Sequence, residues 1–484
     1  MTTTLLPSID EVRARVPAPL RQAAMVDRIL VEETVPAGEG TRRRLAVDLS
    51  AGLGRGEPYF GRPVDWERAA EDLLAIARHL ADVPIERVDI GSVPITDAAF
   101  VELLGQPWAR EVRILDTRGN GITERGLGAL FGPGGLPELR SLRVVSDALG
   151  GALDAATESK LEHLTLRECG FDEARFEAFA EHPPPHVTEL VLDECIAFRT
   201  TAARARAHAR DEVATLGGYT PATWKLAAKG RLGQQLKVLR VRNLALATRD
   251  RDAICTAGFA ALRELAFDGG AAKLAGEALL TAITKADFAP TLEVLDLSNN
   301  GWKVDVFAKL DGEALPALRT LRIPGSRLPA TAWKSLAKSG IALADLTADR
   351  LDGKSMVALS TSRLAATLTA LRVPLSRDLK AAGVACLVGE RWPALEILDL
   401  RGCGITDEAL VQMTVLDAPK LRRLGLGRNH LTDASLDRLR ALAARLEILD
   451  VSENALSQQG VAALSQVQKA KVRTYGQSDH HRAR

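Results

Sequence analysis

One short pattern recurs three times near the C-terminus, and it constrains the fold more than any other feature of the sequence. Three stretches start at Leu395, Leu421 and Leu446, 26 and 25 residues apart, and each carries apolar residues at relative positions 1, 4, 6 and 11. Position 9 holds another type of residue, which is Cys403, Asn429 or Asn454. A unit of this length cannot bury its own apolar face, so stacked copies must share one core.

Each repeat carries local signals for a strand, a turn and a helix. The run L-x-x-L-x-L is typical of a strand whose leucines point into the core. Asn at position 9 can hydrogen-bond the backbone of a buried turn, and Cys fills the same place as a small apolar residue. Thr406 and Thr432, which follow position 11, each precede an Asp. This pair predicts a helix N-cap with an acidic first turn.

The same spacing test, applied to positions 1, 4 and 6, predicts fourteen strands in residues 83–470. Their starts lie 22 to 30 residues apart, except for one gap of 49 residues. The repeats that start at Leu343 and Leu368 fit least well, because Ala348 and Pro374 are poor strand residues. The fourteen first positions are Ile85, Val112, Leu139, Leu161, Val187, Leu236, Leu262, Leu292, Leu318, Leu343, Leu368, Leu395, Leu421 and Leu446.

Segments outside the repeats are predicted to cover or extend the core. Residues 1–82 lack the pattern, and we expect them to form an N-terminal cap with a strand over 45–49 and a helix over 66–80. Residues 471–484 are polar and predict a frayed C-terminal tail. The long gap, residues 198–235, is either a basic insertion or a degenerate repeat.

The pattern L-x-x-L-x-L-x-x-N/C-x-L resembles the leucine-rich repeat family. The repeat length and the segment 402–407 are similar to the ribonuclease-inhibitor-like and cysteine-containing subclasses of that family. The resemblance implies an α/β solenoid in the form of a horseshoe, with a parallel concave sheet, convex helices and about fourteen repeats over residues 83–470.

Composition narrows the class of partner and compartment. With 46% apolar and 26% charged residues, the chain is typical of a globular protein. Its net charge of +1 argues against a nucleic-acid partner, and no apolar run approaches the roughly 18 residues of a membrane span. Five cysteines and no N-terminal apolar segment predict a cytoplasmic protein, and the Ala/Arg/Leu-rich composition is typical of a bacterial source.

Motifs that could carry chemistry are incomplete. His182 and His186 have the spacing of a zinc motif, but three prolines separate them. Residues 353–355 match the end of a phosphate-binding loop without its first glycine. Ser335 and Lys338 form a common S-x-x-K spacing on a predicted helix. We therefore expect neither catalysis nor a cofactor.

Two surfaces remain as candidate binding sites for a protein partner. Charged residues alternate at the outward positions 5 and 7 of the concave sheet, where they either meet a charge-matched partner or neutralise one another along the ladder. The basic gap either touches an acidic partner or is a solvated helix. The concave candidates are Arg143, Arg240, Arg242, Asp296, Arg322, Arg372, Asp399 and Asp450, and the gap candidates are Arg199, Arg204, Arg206, Arg210, Lys225, Lys229 and Arg231.

These observations predict a non-catalytic scaffold for protein–protein interaction. Two alternatives follow from the resemblance. One is a regulator of a small GTPase, because ribonuclease-inhibitor-like repeats occur in activators of a nuclear transport GTPase, although no residue here matches their motif. The other is a substrate receptor of a ubiquitin ligase, although residues 1–82 do not look like an adaptor-binding box.

Overall fold

Strands and helices alternate along most of the chain, as the repeat pattern predicts. Contacts divide the chain into two compact units, Met1–Leu239 and Arg240–Arg484. The computed structural model describes residues 7–18, 30–37, 40–48, 71, 74–80, 83–91, 95–117, 122–144, 152–153, 155–167, 170–193, 196–198, 228–242, 248–269, 275–467 and 470–477.

The sheet of the first unit begins with an antiparallel pair, Leu30–Ala37 and Gly40–Asp48. The predicted strand over 45–49 is therefore the end of a longer strand, and a preceding partner strand was not predicted. Residues 74–78 of the predicted 66–80 helix are helical. Gly40–Asp48 then begins a series of parallel pairs with Ile85–Asp89, Ile114–Asp116, Ser141–Val144, His163–Arg167 and Glu189–Asp193.

Helices connect these strands. Two short strands, Gly170–Asp172 and Ile196–Phe198, pair in parallel to form a separate sheet. Along the chain they follow the main-sheet strands His163–Arg167 and Glu189–Asp193. The helices and 3-10 helices of the first unit are Ile9–Arg15, Asp97–Leu104, Pro107–Glu111, Glu124–Gly128, Ala155–Glu158, Glu173–Glu181 and Arg231–Gln235.

The second unit repeats strand, turn and helix with a constant parallel register. Strand Val238–Arg242 contains the boundary between the units. The later strands are Glu264–Asp268, Val294–Asp296, Thr320–Arg322, Asp345–Thr347, Ala370–Arg372, Ile397–Asp399, Arg423–Gly425, Ile448–Asp450 and Lys471–Arg473. The helices are Thr248–Cys255, Gly276–Thr284, Ala289–Thr291, Ala330–Lys338, Gly353–Ser360, Leu364–Thr367, Lys380–Val388, Asp407–Met413, Asp433–Ser435, Leu436–Ala443 and Gln458–Ser465.

All fourteen predicted strands are present, which confirms the α/β repeat solenoid. The two doubtful repeats also form strands, because Asp345–Thr347 and Ala370–Arg372 end before Ala348 and Pro374. Leucines at positions 1, 4 and 6 are fully buried, as in Leu395, Leu398 and Leu400. Each such side chain contributes about 1.5–3 kcal/mol of transfer free energy.

The buried residue at position 9 joins consecutive repeats. The side-chain amide of Asn429 donates hydrogen bonds to the carbonyl oxygens of Leu426 and Gly427 in its own turn, at 3.0 and 3.2 Å. It also donates to the carbonyl of Leu400 in the preceding repeat, at 3.0 Å, while its oxygen accepts the Ile405 N–H at 3.0 Å. The Asn429 turn therefore satisfies backbone groups of its own repeat and of the repeat before it.

The prediction of a frayed tail is wrong for residues 471–477. Lys471–Arg473 pairs in parallel with Ile448–Asp450. Gln477 then takes the place of the Asn, because its amide donates to the Val451 carbonyl at 2.9 Å and accepts the Leu456 N–H at 3.2 Å. A longer amide side chain thus closes the last turn of the described residues, which end at Gln477.

Helix starts are also linked from one repeat to the next. The Thr432 side chain accepts the Ala434 N–H as a cap, while its own N–H and hydroxyl donate to Asp407 of the preceding helix, at 2.9 and 2.6 Å. The same link joins Thr123 to Asp97, with an N–H to carboxylate distance of 2.8 Å. The sequence predicted the Thr-Asp pair only as a helix cap, and in the structure it also connects neighbouring repeats.

Two glycines of one helix provide a test of this link. A Cβ at Gly126 would collide with the Asp97 carboxylate and the Ile122 side chain, whereas a Cβ at Gly128 has nothing within 4 Å. We expect Gly126→Ala to destabilise the fold by about 2 kcal/mol through overpacking. Gly128→Ala should be neutral or stabilising by up to about 1 kcal/mol through helix propensity.

Urea unfolding followed by circular dichroism measures both changes. Because the two positions share one helix, an equal shift of the unfolding midpoint in both variants would contradict the proposed link.

Candidate functional site

Side chains that point away from the leucine core form what we call the strand face, made of positions 3, 5 and 7 of each repeat. In a strand, alternate residues point to opposite sides, so these positions lie opposite the buried leucines. In the second unit most of these side chains are at least partly exposed. Parallel in-register pairing brings position 5 of one repeat beside position 5 of the next, as with Asp296 and Arg322.

The predicted arginines of the strand face have carboxylate neighbours. Arg372 donates to both oxygens of Asp345, at 2.5 and 2.6 Å. Arg240 donates from Nε to Glu264 at 2.6 Å. The looser pairs are Arg322 with Asp296 at 3.8 Å, Arg242 with Asp268 at 3.8 Å and, in the first unit, Arg143 with Asp116 at 3.7 Å. Neutralisation along the ladder is therefore present at all five arginines.

The predicted aspartates at position 5 also end their strands. Asp399 accepts the backbone N–H of Arg401 at 2.9 Å, and Asp450 accepts that of Ser452 at 3.0 Å. Asp296 does the same for the Ser298 N–H at 3.0 Å. An aspartate that bonds its own backbone two residues on is a local turn device, so these residues have a structural role that the repeat pattern did not reveal.

Burial changes the electrostatics of Asp399. Loss of solvent raises the pKa of this carboxyl above its ordinary value, and the negative charge of Asp450 acts in the same direction. The Arg401 N–H and the charges of Arg401 and Arg372 oppose this rise without cancelling it. The ionised form is therefore disfavoured by the fold.

A depression of about 260 Å³ lies between Asp399 and Asp450. It forms where position 5 of the intervening strand is Gly425, which has no side chain. A Cβ there would lie 2.7 Å from Asp399 Oδ1. Four arginines are among the residues that line this depression, namely Arg372, Arg401, Arg423 and Arg473.

An aromatic residue stands beside this depression. Arg401 extends past Gly427 to reach Glu453 at 3.2 Å and the hydroxyl of Tyr475 at 3.1 Å. Tyr475 is 58% exposed. The sequence reading missed it, because residues after 471 were assigned to a tail. Arg473 pairs with Asp450, so Tyr475, two residues further on, corresponds to Ser452. Extending the repeat count by one more repeat would have placed Tyr475 on the strand face.

The basic gap is described at Phe198 and over residues 228–235. Arg199, Arg204, Arg206, Arg210 and Lys225 lie outside the described residues. Lys229 and Arg231 are exposed at the start of helix Arg231–Gln235. Gln235 of this helix donates to the carbonyls of Pro184 and Val187, at 3.1 and 2.8 Å, so residues 231–235 pack as part of a repeat.

Incomplete catalytic motifs have structural partners. Ser355 donates from its N–H and hydroxyl to the Asp352 carboxylate, at 2.8 and 2.7 Å, which places an acid where a phosphate would bind. Burial alone would raise the pKa of Asp352, but these hydrogen bonds hold it below its ordinary value. The Ser335 hydroxyl donates to Asp305 at 2.7 Å.

Burial makes two of the described cysteines, Cys255 and Cys403, poor nucleophiles. Burial raises the pKa of the Cys255 and Cys403 thiols to about 12. Cys403 lies at position 9 and donates to the Val373 carbonyl at 3.2 Å, whereas Cys169 and Cys195 lie outside the described residues. No group of three or more His, Cys, Asp or Glu side chains among the described residues could hold a metal ion. No described helix is long and apolar enough to cross a membrane.

Comparison with known proteins supports the repeat. The family model described as "Leucine Rich repeat" matches residues 393–412, which begin the three-fold pattern. No curated protein sequence matches the chain. A solved structure of a complex of Rad7 and Elc1 from yeast is 15% identical, with 83% of this chain and 87% of that chain covered and a TM-score of 0.44.

An internalin, inlF, from Listeria monocytogenes is also 15% identical. The comparison covers 97% of this chain and 99% of that chain, with a TM-score of 0.28. Identities and TM-scores at this level assign neither protein's partner to this chain. The fold itself is that of a leucine-rich-repeat solenoid, as the strands and the position 9 residues show.

The raised pKa of Asp399 makes a pH-dependent prediction. Its folded pKa lies above its unfolded value, so the destabilising effect is absent below the unfolded pKa and fully present above the folded pKa. Asp399→Asn should therefore raise stability at neutral pH, and the gain should fade as pH falls through the raised pKa.

Urea midpoints between pH 3 and pH 8 measure this difference. The control is Asp437→Asn, which removes a carboxylate from the exposed side of helix Leu436–Ala443. A gain for Asp399→Asn that is the same at every pH would contradict the assignment.

Proposed function

We propose that this protein is a scaffold that holds a protein partner on the strand face of its second unit. The observation that carries the proposal is the depression at Gly425, which arginines line and where one of them, Arg401, donates a hydrogen bond to the exposed Tyr475. Arginine and tyrosine are the residue types enriched at the energetic centres of protein interfaces. No catalytic step is part of this function, and no cofactor is needed.

Charge pairing on the strand face is compatible with binding. Partly exposed ion pairs such as Arg322–Asp296 and Arg242–Asp268 contribute about 0–1 kcal/mol each, so a partner can replace them at low cost. Arg423 and Arg473 are exposed, and no ion pair within 4 Å joins either of them to another described residue. They are the arginines that a charge-matched partner can engage without first breaking a pair.

The repeat subclass, the location in the cell and the source of the protein also belong to this proposal. The ribonuclease-inhibitor-like subclass is supported by full helices of nine residues, such as Gly276–Thr284 and Ala330–Lys338. A cytoplasmic location and a bacterial source rest on composition. The two alternatives, a GTPase regulator and a ligase substrate receptor, have no particular residue of this chain in their favour. Binding through the basic gap is the competing reading, and the experiment below separates it from the strand face.

Charge reversal on the strand face tests the proposal. The partner is captured by crosslinking from host lysate, identified by mass spectrometry, purified and titrated against variants of the full chain. We expect Arg423→Glu with Arg473→Glu to weaken binding roughly tenfold or more, because two favourable charge contacts become repulsive.

The matched control reverses the same number of charges on a helix. Lys334 and Lys338 are exposed on helix Ala330–Lys338, and Lys334→Glu with Lys338→Glu should leave the affinity unchanged. Equal affinity of the strand-face variant and the wild-type chain would reject this face. A third variant, with residues 199–227 replaced by a Gly/Ser linker, shows whether the basic gap holds the partner instead.

A further inference from the structure

The turns that follow the strands of the second unit carry a row of basic side chains, which we call the loop edge. Its members stand mainly at positions 8 and 10 of the repeats, on either side of the buried position 9. The backbone at position 8 is left-handed, with φ of 55° at both Arg350 and Arg428. The row consists of Lys303, Arg327, Arg350, Arg377, Arg428 and His430.

Two depressions lie along this row. The first, of about 220 Å³, is lined by Lys303, Arg327 and Arg350 together with two carboxylates, Asp352 and Asp378. The second, of about 570 Å³, has no carboxylate in its lining. It is lined by Arg377, Arg428 and His430 and by the small residues Ala381, Gly402, Gly404 and Thr406.

Cations of the loop edge are accessible. The side chains of Arg327, Arg350 and Arg428 are 66%, 56% and 56% exposed. Arg428 lies 2.6 Å from Glu453, but Glu453 also pairs with Arg401 of the strand face, so one carboxylate serves two guanidinium groups. Arg377 and His430 are exposed, and within the described residues no ion pair shorter than 4 Å includes either of them.

Repeat geometry gives the row a length. From the repeat that starts at Leu292 to the one that starts at Leu421 there are five strand-to-strand steps. At about 4.8 Å per step the row is roughly 24 Å long, which matches about seven residues of an extended chain at about 3.3 Å each. Cations spread over this length suit a series of anionic groups better than a single one.

We propose that the loop edge binds an extended acidic segment of a protein partner, with its carboxylate side chains against Arg377, Arg428 and His430. The larger depression accepts the side chains of the segment, because two of its lining residues, Gly402 and Gly404, have no side chain to fill it. The overall charge of +1 gives no general attraction for anions, so the binding depends on this local row. This site is separate from the strand face and does not rest on the function proposed above.

A peptide of ten glutamates with a fluorescent label tests the site on the full chain. Fluorescence anisotropy should show binding that weakens as salt is raised, and a ten-glutamine peptide should not bind. Arg377→Gln with His430→Gln should weaken glutamate-peptide binding roughly fivefold or more, because two side chains that contact the carboxylates are replaced. Arg377→Lys alone should retain most of the affinity, because the charge is kept.

The matched control is Lys338→Gln with Lys420→Gln, which removes two exposed charges away from the loop edge and should leave binding unchanged. No binding by the folded wild-type chain, or an equal loss in the control, would overturn the proposal. Tighter binding of a phosphoserine peptide without carboxylates, or of a single-stranded oligonucleotide, would also overturn it in favour of a phosphate-binding edge. Circular dichroism of every variant separates lost binding from lost folding.

Discussion

In the repeats that start at Leu292, Leu421 and Leu446, the packing of one repeat on another depends on a buried side-chain amide at position 9. A turn that closes inside an apolar core leaves carbonyl and N–H groups without water, and each unpaired group costs about 1–3 kcal/mol. Asn300, Asn429 and Asn454 each donate to three such carbonyls, one of which belongs to the preceding repeat. One side chain therefore both closes its own turn and fixes its repeat in register with the preceding one.

Both candidate surfaces follow from that register. Because every repeat enters its turn at the same point, positions 3, 5 and 7 form straight rows on the strand face, and positions 8 and 10 form the loop edge. Asp399 and Asp450 use part of their hydrogen-bonding capacity to end strands, and most arginines of the strand face are balanced by neighbours. The side chains that a partner can engage are the arginines without a carboxylate neighbour, Tyr475 and the basic side chains of the loop edge.

The sequence was sufficient for the strands, because buried leucines at fixed spacing have few other arrangements. It was not sufficient for residues 471–477, because Gln477 there makes the hydrogen bonds that Asn makes in other repeats, and the position 9 pattern asks for Asn or Cys. The loop edge was missed for a similar reason. A left-handed turn is normally read from glycine, yet Arg350, Leu375, Arg428 and Glu453 adopt it here, with φ between 54° and 58°. The charge ladder was foreseen as one of two alternatives, but the pairing of Arg372 with Asp345 comes from different positions of adjacent repeats, which a reading of single rows did not compare.

Amide hydrogen exchange of Ile405 in an Asn429→Ala variant tests the role of position 9 most directly. The Ile405 N–H donates to Asn429 Oδ1, whereas the Leu431 N–H donates to Asn454 Oδ1 and serves as the internal reference. We predict that Ile405 exchanges at least roughly tenfold faster and that the urea midpoint falls, consistent with a loss of about 2–3 kcal/mol. Unchanged protection of Ile405 relative to Leu431, with an unchanged midpoint, would contradict the account.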